Sequence, residues 1–239
     1  MFNLKVFIGF CSLFVFACLQ SASAQIIVDA SVKKQYDSIY QNLPGDIKQK
    51  VEERNASLLK LYNEHKKEMK KGEEFRPFTY AIVTENETDT LNIKDFQGTP
   101  SNVVKEKSLF LVDAAFRSDS FAIVLTPGAG RSSEIDIVHL IKDGHLSTKY
   151  FEWRDTDTIF RTILKSKPSN VLELTATSST LRVSDNIYKV NKALYGYAEV
   201  IMKPFYEENK NFEKGYIIKQ LRFKYYFKVV PHKSEEDGE

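Results

Sequence analysis

Side chains that could do chemistry are concentrated in three stretches of this chain. The first contains the single tryptophan, Trp153, close to the carboxylates of Glu152, Asp155 and Asp157. An aromatic ring can stack on a sugar, and paired acids can hydrolyse a glycosidic bond. The structural alternative, which we favour, is that the two aspartates begin a helix and that Glu152 forms a surface ion pair with Arg154. Trp153 remains a candidate ligand-binding residue.

The second stretch is a glycine-rich loop around Arg131 and Ser132. Backbone N–H groups and these two side chains could bind an anion. A Walker-type phosphate loop ends in Gly-Lys-Ser/Thr before a helix, whereas a strand pattern follows here. A serine hydrolase would combine Ser132 or Ser133 with His139 and Asp136, but the last two face opposite sides of one predicted strand. We therefore favour a turn, with His139 in the core and Arg131 and Ser132 as candidate anion ligands.

The third stretch is the final strand pattern, 216–230. One parity is apolar and aromatic, and the other carries Arg222, Lys224, Tyr226 and Lys228, which is the period of a half-buried strand. Basic residues interleaved with a tyrosine can bind nucleic acid, anionic glycans or lipid headgroups. The alternative, which we favour, is a solvated face whose lysines protect an edge from pairing. These four residues complete the list of candidate ligand-binding residues.

The apolar parity of this last strand is interrupted at Lys219. At ~3.3 Å per residue the strand would span roughly 50 Å, which is longer than a typical strand. We therefore expect a bend or bulge between Gly215 and Lys219. The expected antiparallel neighbour is 195–202, and 207–214 is the expected connecting loop.

The elements that must position these residues follow from hydrophobic periodicity. A 3.6-residue period predicts a helical hairpin over 29–72, broken at Pro44. Over 77–231 the period changes to two and predicts about ten strands with tight turns, which imply antiparallel neighbours. Two short helices, 101–106 and 159–164, interrupt them. The predicted fold class is α+β: a helical hairpin that covers the concave face of a long, curved, mostly antiparallel sheet, which could form a half-open barrel.

Turn residues divide the predicted sheet. The polar run 85–89 is expected to separate two strands, and the pair Ser178-Ser179 to separate two more. Asp143-Gly144, between two strand patterns, predicts a tight hairpin.

Residues 1–24 have the pattern of a secretory signal peptide. An apolar run follows Lys5 and is too short for a membrane span of ~20 residues, and small residues occupy Ala22 and Ala24. We expect cleavage after Ala24 and a secreted or periplasmic protein without a transmembrane helix. Lipidation at Cys18, or an uncleaved anchor, is the alternative.

Cysteine usage and charge exclude several classes of function. Both cysteines, Cys11 and Cys18, lie in the predicted leader, so the mature chain has no disulfide, thiol nucleophile or Cys-based metal site. The 34 Lys and Arg residues nearly balance 32 Asp and Glu residues, which argues against a dedicated nucleic-acid-binding protein. No pattern indicates a cofactor or a metal site. Asn55 and Asn86 lie in glycosylation sequons, which matter only in a eukaryotic source.

We predict a single domain over 25–231, followed by a disordered acidic tail, 232–239. The favoured function is a non-catalytic binding or interaction protein of the cell envelope, whose partner is an envelope protein, a glycan or a lipid. The first alternative is a carrier that encloses an apolar or lipid ligand in the curved sheet, which would need a cavity above ~300 Å³. A glycan-acting hydrolase and an assembly subunit that pairs its last strand with another copy are the others.

Overall fold

The computed structural model describes residues 23–65, 79–91, 108–127, 133–154, 159–162, 167–185, 192–208 and 215–234. In these residues the chain is mostly antiparallel β-structure, with 62% in strands, two helices and a closed eight-stranded barrel. The helices are α1 (Ser31–Gln41) and α2 (Gly45–His65). The strands are β1 (Ser23–Val28), β2 (Thr79–Thr90), β3 (Ser108–Phe116), β4 (Phe121–Pro127), β5 (Ser133–Lys142), β6 (His145–Arg154), β7 (Ile159–Arg161), β8 (Val171–Val183), β9 (Leu194–Met202), β10 (Phe205–Glu208), β11 (Tyr216–Val229) and β12 (His232–Lys233).

The barrel closes because β11 pairs along both of its edges. It pairs antiparallel with β2 on one side and with β9 on the other, and β9 pairs with β8. The cyclic order is β8-β6-β5-β4-β3-β2-β11-β9. The predicted antiparallel sheet and the 195–202 neighbour are confirmed, but the half-open form is wrong. Closure removes the two long edges that an open sheet would leave unpaired.

Side chains fill the interior of the barrel. Phe223, Tyr225 and Phe227, on the apolar parity of β11, are at most 3% exposed. They belong to one core cluster with aliphatic residues of other strands, including Ile123 and Leu181. Full burial of one such side chain contributes about 1.5–3 kcal/mol. The prediction that this parity of the last strand forms the core is confirmed.

The helix α1 packs on the outside of the barrel. Asp29 accepts a hydrogen bond from the Ser31 backbone N–H at 2.9 Å, which satisfies one N–H group at the start of α1. Tyr36 and Leu43 then pack on Ile82 of β2. The prediction that the hairpin covers the concave aromatic face is therefore wrong, because the barrel itself encloses that face. In the described part of the chain, no helix has the length and apolar character needed to cross a membrane.

Two predicted turns lie inside continuous strands. β2 runs through 85–89 because Glu85 and Asp89 face outward and pair with the basic face of β11; Glu85, for example, lies 2.9 Å from the Nζ of Lys224. β8 runs through Ser178-Ser179, where its pairing with β9 shifts register instead of turning. The Asp143-Gly144 hairpin is confirmed, with both residues at positive φ.

Three further predictions differ from the structure. The segment predicted as a helix from 159 begins with strand β7, because Phe160 packs on Phe205 and β7 pairs with β10. The irregularity of β11 lies between Lys224 and Tyr225 rather than near Gly215. The connection predicted over 207–214 begins with the end of β10. The helix predicted over 101–106 lies outside the described residues.

Two short strands pair parallel to their neighbours. β1 pairs with Ser178–Val183 of β8, beyond the part of β8 that pairs with β6. β12 pairs with the end of β3, and His232 contacts Asp113 at 3.0 Å. These contacts hold the first residues of the predicted 232–239 tail in a strand. Residues 235–239 lie outside the described part.

Candidate functional site

One end of the barrel holds a pocket of about 190 Å³. It lies where β2, β6, β10 and β11 meet, and both charged and aromatic side chains line it. Its charged residues are Glu152, Arg154, Glu207 and Lys219, its uncharged polar residues are Asn86, Thr88 and Tyr150, and its apolar residues are Phe110, Ile135, Phe205, Leu221 and Phe223.

The strand β6 supplies three of the polar groups. Tyr150, Glu152 and Arg154 are two residues apart, so the period of a strand places them on the same, inward face. Tyr150 and Glu152 are buried in this position. Trp153 has the opposite parity and is 40% exposed. The tryptophan therefore lies outside the pocket, although it neighbours two of the lining residues in sequence.

An ion-pair network connects the charged residues of the pocket. The two oxygens of Glu152 accept hydrogen bonds from the Tyr150 hydroxyl, at 2.7 Å, and from the Nε of Arg154. Lys219 donates to Glu207 Oε2 at 2.7 Å. The Nη1 of Arg154 lies 3.9 Å from the same oxygen, which is an ion pair but too long for a hydrogen bond. The formal charges of the two acidic and two basic side chains thus cancel within the pocket.

Burial keeps the Tyr150 hydroxyl protonated, and an aromatic contact positions Arg154. Desolvation, followed by the neighbouring Glu152 carboxylate, raises the pKa of Tyr150 well above its usual value. Its hydroxyl therefore keeps its proton and donates a hydrogen bond to Glu152. The guanidinium of Arg154 lies 5.1 Å from the ring centroid of Phe160, a cation–π contact that holds it at the rim.

Glu207 and Lys219 were not recognised from the sequence as site residues. The sequence signal is at Lys219, which breaks the apolar parity of β11 and by itself predicts a bend. The structure places Lys219 on the inward face beside Glu207. The surface pair predicted for Glu152 and Arg154 does form, but Glu152 is 4% exposed and faces the barrel interior.

A second polar cluster lies deeper in the barrel. His139 is fully buried and bonds through both ring nitrogens, to the hydroxyl of Thr148 at 2.7 Å and to that of Tyr225. Thr148 also bonds Ser179 at 2.7 Å. Asp136 instead contacts Thr126, at 2.6 Å, on a different face. The prediction of a core histidine is confirmed.

The basic residues of β11 lie on the outer face of the barrel, where carboxylates of adjacent strands pair with two of them. Arg222 donates to Asp89 at 2.7 Å. Lys224 lies 2.9 Å from Glu85 and 3.4 Å from Glu199. Exposed pairs of this kind contribute about 0–1 kcal/mol each, and they offset much of the positive charge that the sequence suggested.

The other two residues of this face contact α1 and an adjacent tyrosine. Tyr226 donates its hydroxyl hydrogen to Gln35 at 3.2 Å. Lys228 lies over the ring of Tyr195, 5.6 Å from its centroid. The four predicted residues therefore share one outer face, and the pocket lies on the inward side of the same strand.

The remaining candidate residues lie outside the described part of the chain: Arg131, Ser132, Asp155 and Asp157. Ser133, the first residue of β5, pairs with Arg154 at the pocket end of β6. Among the described residues, no group of three or more His, Cys, Asp or Glu side chains is arranged to hold a metal ion.

Comparisons with protein-family models, with curated proteins and with solved structures find no match to this chain.

Proposed function

We propose that this protein is a secreted or periplasmic, non-catalytic binding protein that holds a small polar ligand in the barrel-end pocket. The observation that carries the proposal is the pairing of buried Glu152 and Glu207 with Arg154 and Lys219 in a cavity of about 190 Å³. Withdrawing charges from water is costly, and apolar residues often stabilise a core as well or better. Four charges at one end of an apolar interior therefore favour recognition.

The arrangement favours binding over glycan hydrolysis. Hydrolysis requires two carboxyl groups that flank the bond to be broken. Here both oxygens of Glu152 are occupied by Tyr150 and Arg154, and Glu207 is bonded to Lys219. These partners position the carboxylates as fixed hydrogen-bond acceptors.

The filled interior favours a ligand at the barrel end over one enclosed along the axis. Tyr225 and Phe227 are completely buried at the centre of the barrel. The pocket volume of about 190 Å³ is below the ~300 Å³ expected of a drug-sized ligand site. A small ligand therefore fits the site better than a lipid does.

The proposed location rests on the leader pattern of residues 1–24. Cleavage after Ala24 would retain Gln25–Val28 of β1, which pair with Thr180–Val183 of β8. N-terminal sequencing of protein recovered from the periplasm or medium should give Gln25 as the first residue. Recovery only in the cytoplasm, with Met1 retained, would contradict this part of the proposal.

Binding can be tested by thermal-shift screening of the purified protein against a library of small polar molecules. We expect at least one compound class to raise the melting temperature of the wild type. Arg154→Gln should abolish that response. Lys149→Gln, on the outer face of the same strand, removes an exposed ion pair with Glu173 and should leave the response unchanged. No response in the whole library, or an equal response of Arg154→Gln, would reject the proposal.

A further inference from the structure

We infer that the barrel-end pocket recognises a zwitterionic α-amino acid with an apolar side chain. This inference rests on the proposed function and names the ligand class of the same site. It follows from the unused hydrogen-bonding groups of two side chains, from the distance between these side chains, and from the aromatic residues that line the same pocket.

Arg154 has donors available for a carboxylate. A guanidinium carries five N–H donors, and in the described part of the chain only the Nε of Arg154 makes a hydrogen bond, to Glu152. The Arg154 side chain is 34% exposed at the rim of the pocket. Its two amino groups can therefore donate to both oxygens of a ligand carboxylate, the geometry that arginine favours.

Glu207 has an acceptor available for an ammonium group. Its Oε2 accepts from Lys219, whereas its Oε1 accepts no hydrogen bond from any described residue. The side chain is only 12% exposed, so this oxygen is largely withdrawn from bulk water. A buried acceptor of this kind gains more from a charged donor than an exposed one does.

The two groups are close enough for one small headgroup to contact both. Arg154 Nη1 lies 3.9 Å from Glu207 Oε2, the oxygen that accepts from Lys219, and Oε1 of the same carboxylate is the acceptor left for a ligand. In an α-amino acid, the ammonium and carboxylate groups are attached to the same carbon atom. Such a headgroup can therefore donate to Glu207 and accept from Arg154 at once.

Charge balance and size restrict the ligand further. An anion would also face the carboxylates of Glu152 and Glu207, and a cation would face Arg154 and Lys219, so a ligand of zero net charge fits best. Phe110, Phe205 and Phe223 line the rest of the pocket. A cavity of about 150 Å³ holds a benzene ring, so the pocket of about 190 Å³ can enclose a side chain up to that size when the headgroup lies at the rim beside Arg154.

Isothermal titration calorimetry with a matched ligand series tests the inference without any variant. L-phenylalanine and L-leucine should bind. N-acetyl-L-phenylalanine, which lacks the ammonium charge, and L-phenylalaninamide, which lacks the carboxylate, should each bind at least tenfold more weakly. If both derivatives bind as well as phenylalanine, or if only sugars bind, the amino-acid assignment is wrong and the binding proposal stands. If none of the wider library binds, the proposed function itself fails.

A variant pair locates the interaction. Glu207→Gln should weaken binding of L-phenylalanine at least tenfold and change binding of N-acetyl-L-phenylalanine little, because only the former offers an ammonium group. Glu173→Gln, the same change on the outer face, should bind both as the wild type does. Equal weakening of both ligands by Glu207→Gln would overturn the assigned role of Glu207.

Discussion

The ring of Phe227 lies directly over the backbone of Gly196 inside the barrel. The two residues are paired across β11 and β9, and both are buried. A Cβ atom on residue 196 would overlap three atoms of the ring. Glycine is required here for space, so that β9 can approach an aromatic side chain at the centre of the core.

Replacing this glycine should destabilise the barrel. We expect Gly196→Ala to lower the free energy of unfolding by about 1–3 kcal/mol, because the added Cβ would overlap the fully buried ring of Phe227. Urea denaturation measures the change. Gly45→Ala, in open space at the start of α2, should be neutral or slightly stabilising. Equal stabilities for the two variants would show that the ring can relax.

Stability should fall in mild acid because of His139. Burial lowers the pKa of His139 from 6.5 to about 3, so the folded protein holds the ring neutral while the unfolded chain is protonated near pH 6.5. The contribution of His139 to the free energy of unfolding is therefore complete above pH 6.5 and is lost as the pH falls towards 3. We expect a loss of about 2 kcal/mol between pH 7 and pH 5 from this residue.

Denaturation curves at the two pH values provide the check. His139→Gln should reduce the pH dependence by that amount, because glutamine does not titrate. The matched control is His145→Gln, whose side chain is exposed at the start of β6 and whose loss should leave the wild-type dependence intact. An unchanged dependence in His139→Gln would contradict the assignment.

Two adjacent tyrosines should respond differently to loss of their hydroxyl groups. Tyr225→Phe leaves the Nε2 of buried His139 without its partner, and we expect a cost of about 1–3 kcal/mol. Tyr226→Phe removes a bond to Gln35 at the exposed surface and should change stability by less than about 0.5 kcal/mol. Thermal or chemical denaturation of the two variants measures the difference. The opposite ranking would mean that the hydrogen bond between Tyr225 and His139 contributes less to stability than the surface bond of Tyr226.

The attachment of α1 to the barrel should depend on Tyr36. Its ring is 7% exposed and lies edge-on to Tyr195 of β9, with centroids 5.6 Å apart. Tyr36→Ala should cost about 3 kcal/mol through the cavity it leaves. It should also speed hydrogen exchange in α1 before the barrel strands exchange. Lys34→Ala, on the exposed side of the same helix, should do neither.

Local sequence patterns predicted the strands well and their partners less well. The alternation in β11 identified its inner and outer faces, because side-chain direction depends only on the strand's own period. The polar residues 85–89 predict a turn when the local sequence is considered alone, because polar runs are usually exposed to solvent. Their continuation as a strand depends on cations of β11, which are remote in sequence.

The candidate site could likewise be predicted from local sequence only in part. Tyr150, Glu152 and Arg154 share a parity that the sequence displays, yet nothing local indicates whether that face points inward. Lys219 breaks an apolar pattern, but its partner Glu207 comes from another strand. Only closure of the barrel brings the four charges together, and closure depends on pairings between distant segments.

The order of strands along the chain also has a consequence for folding speed. Asp89 of β2 and Arg222 of β11, which pair across the closing seam, are 133 residues apart in sequence. Contacts of such separation must overcome a large loss of chain entropy before they form, and barrels dominated by them fold in milliseconds to seconds. The chain therefore cannot complete the barrel until β11, which follows the other seven barrel strands in the sequence, has been synthesised.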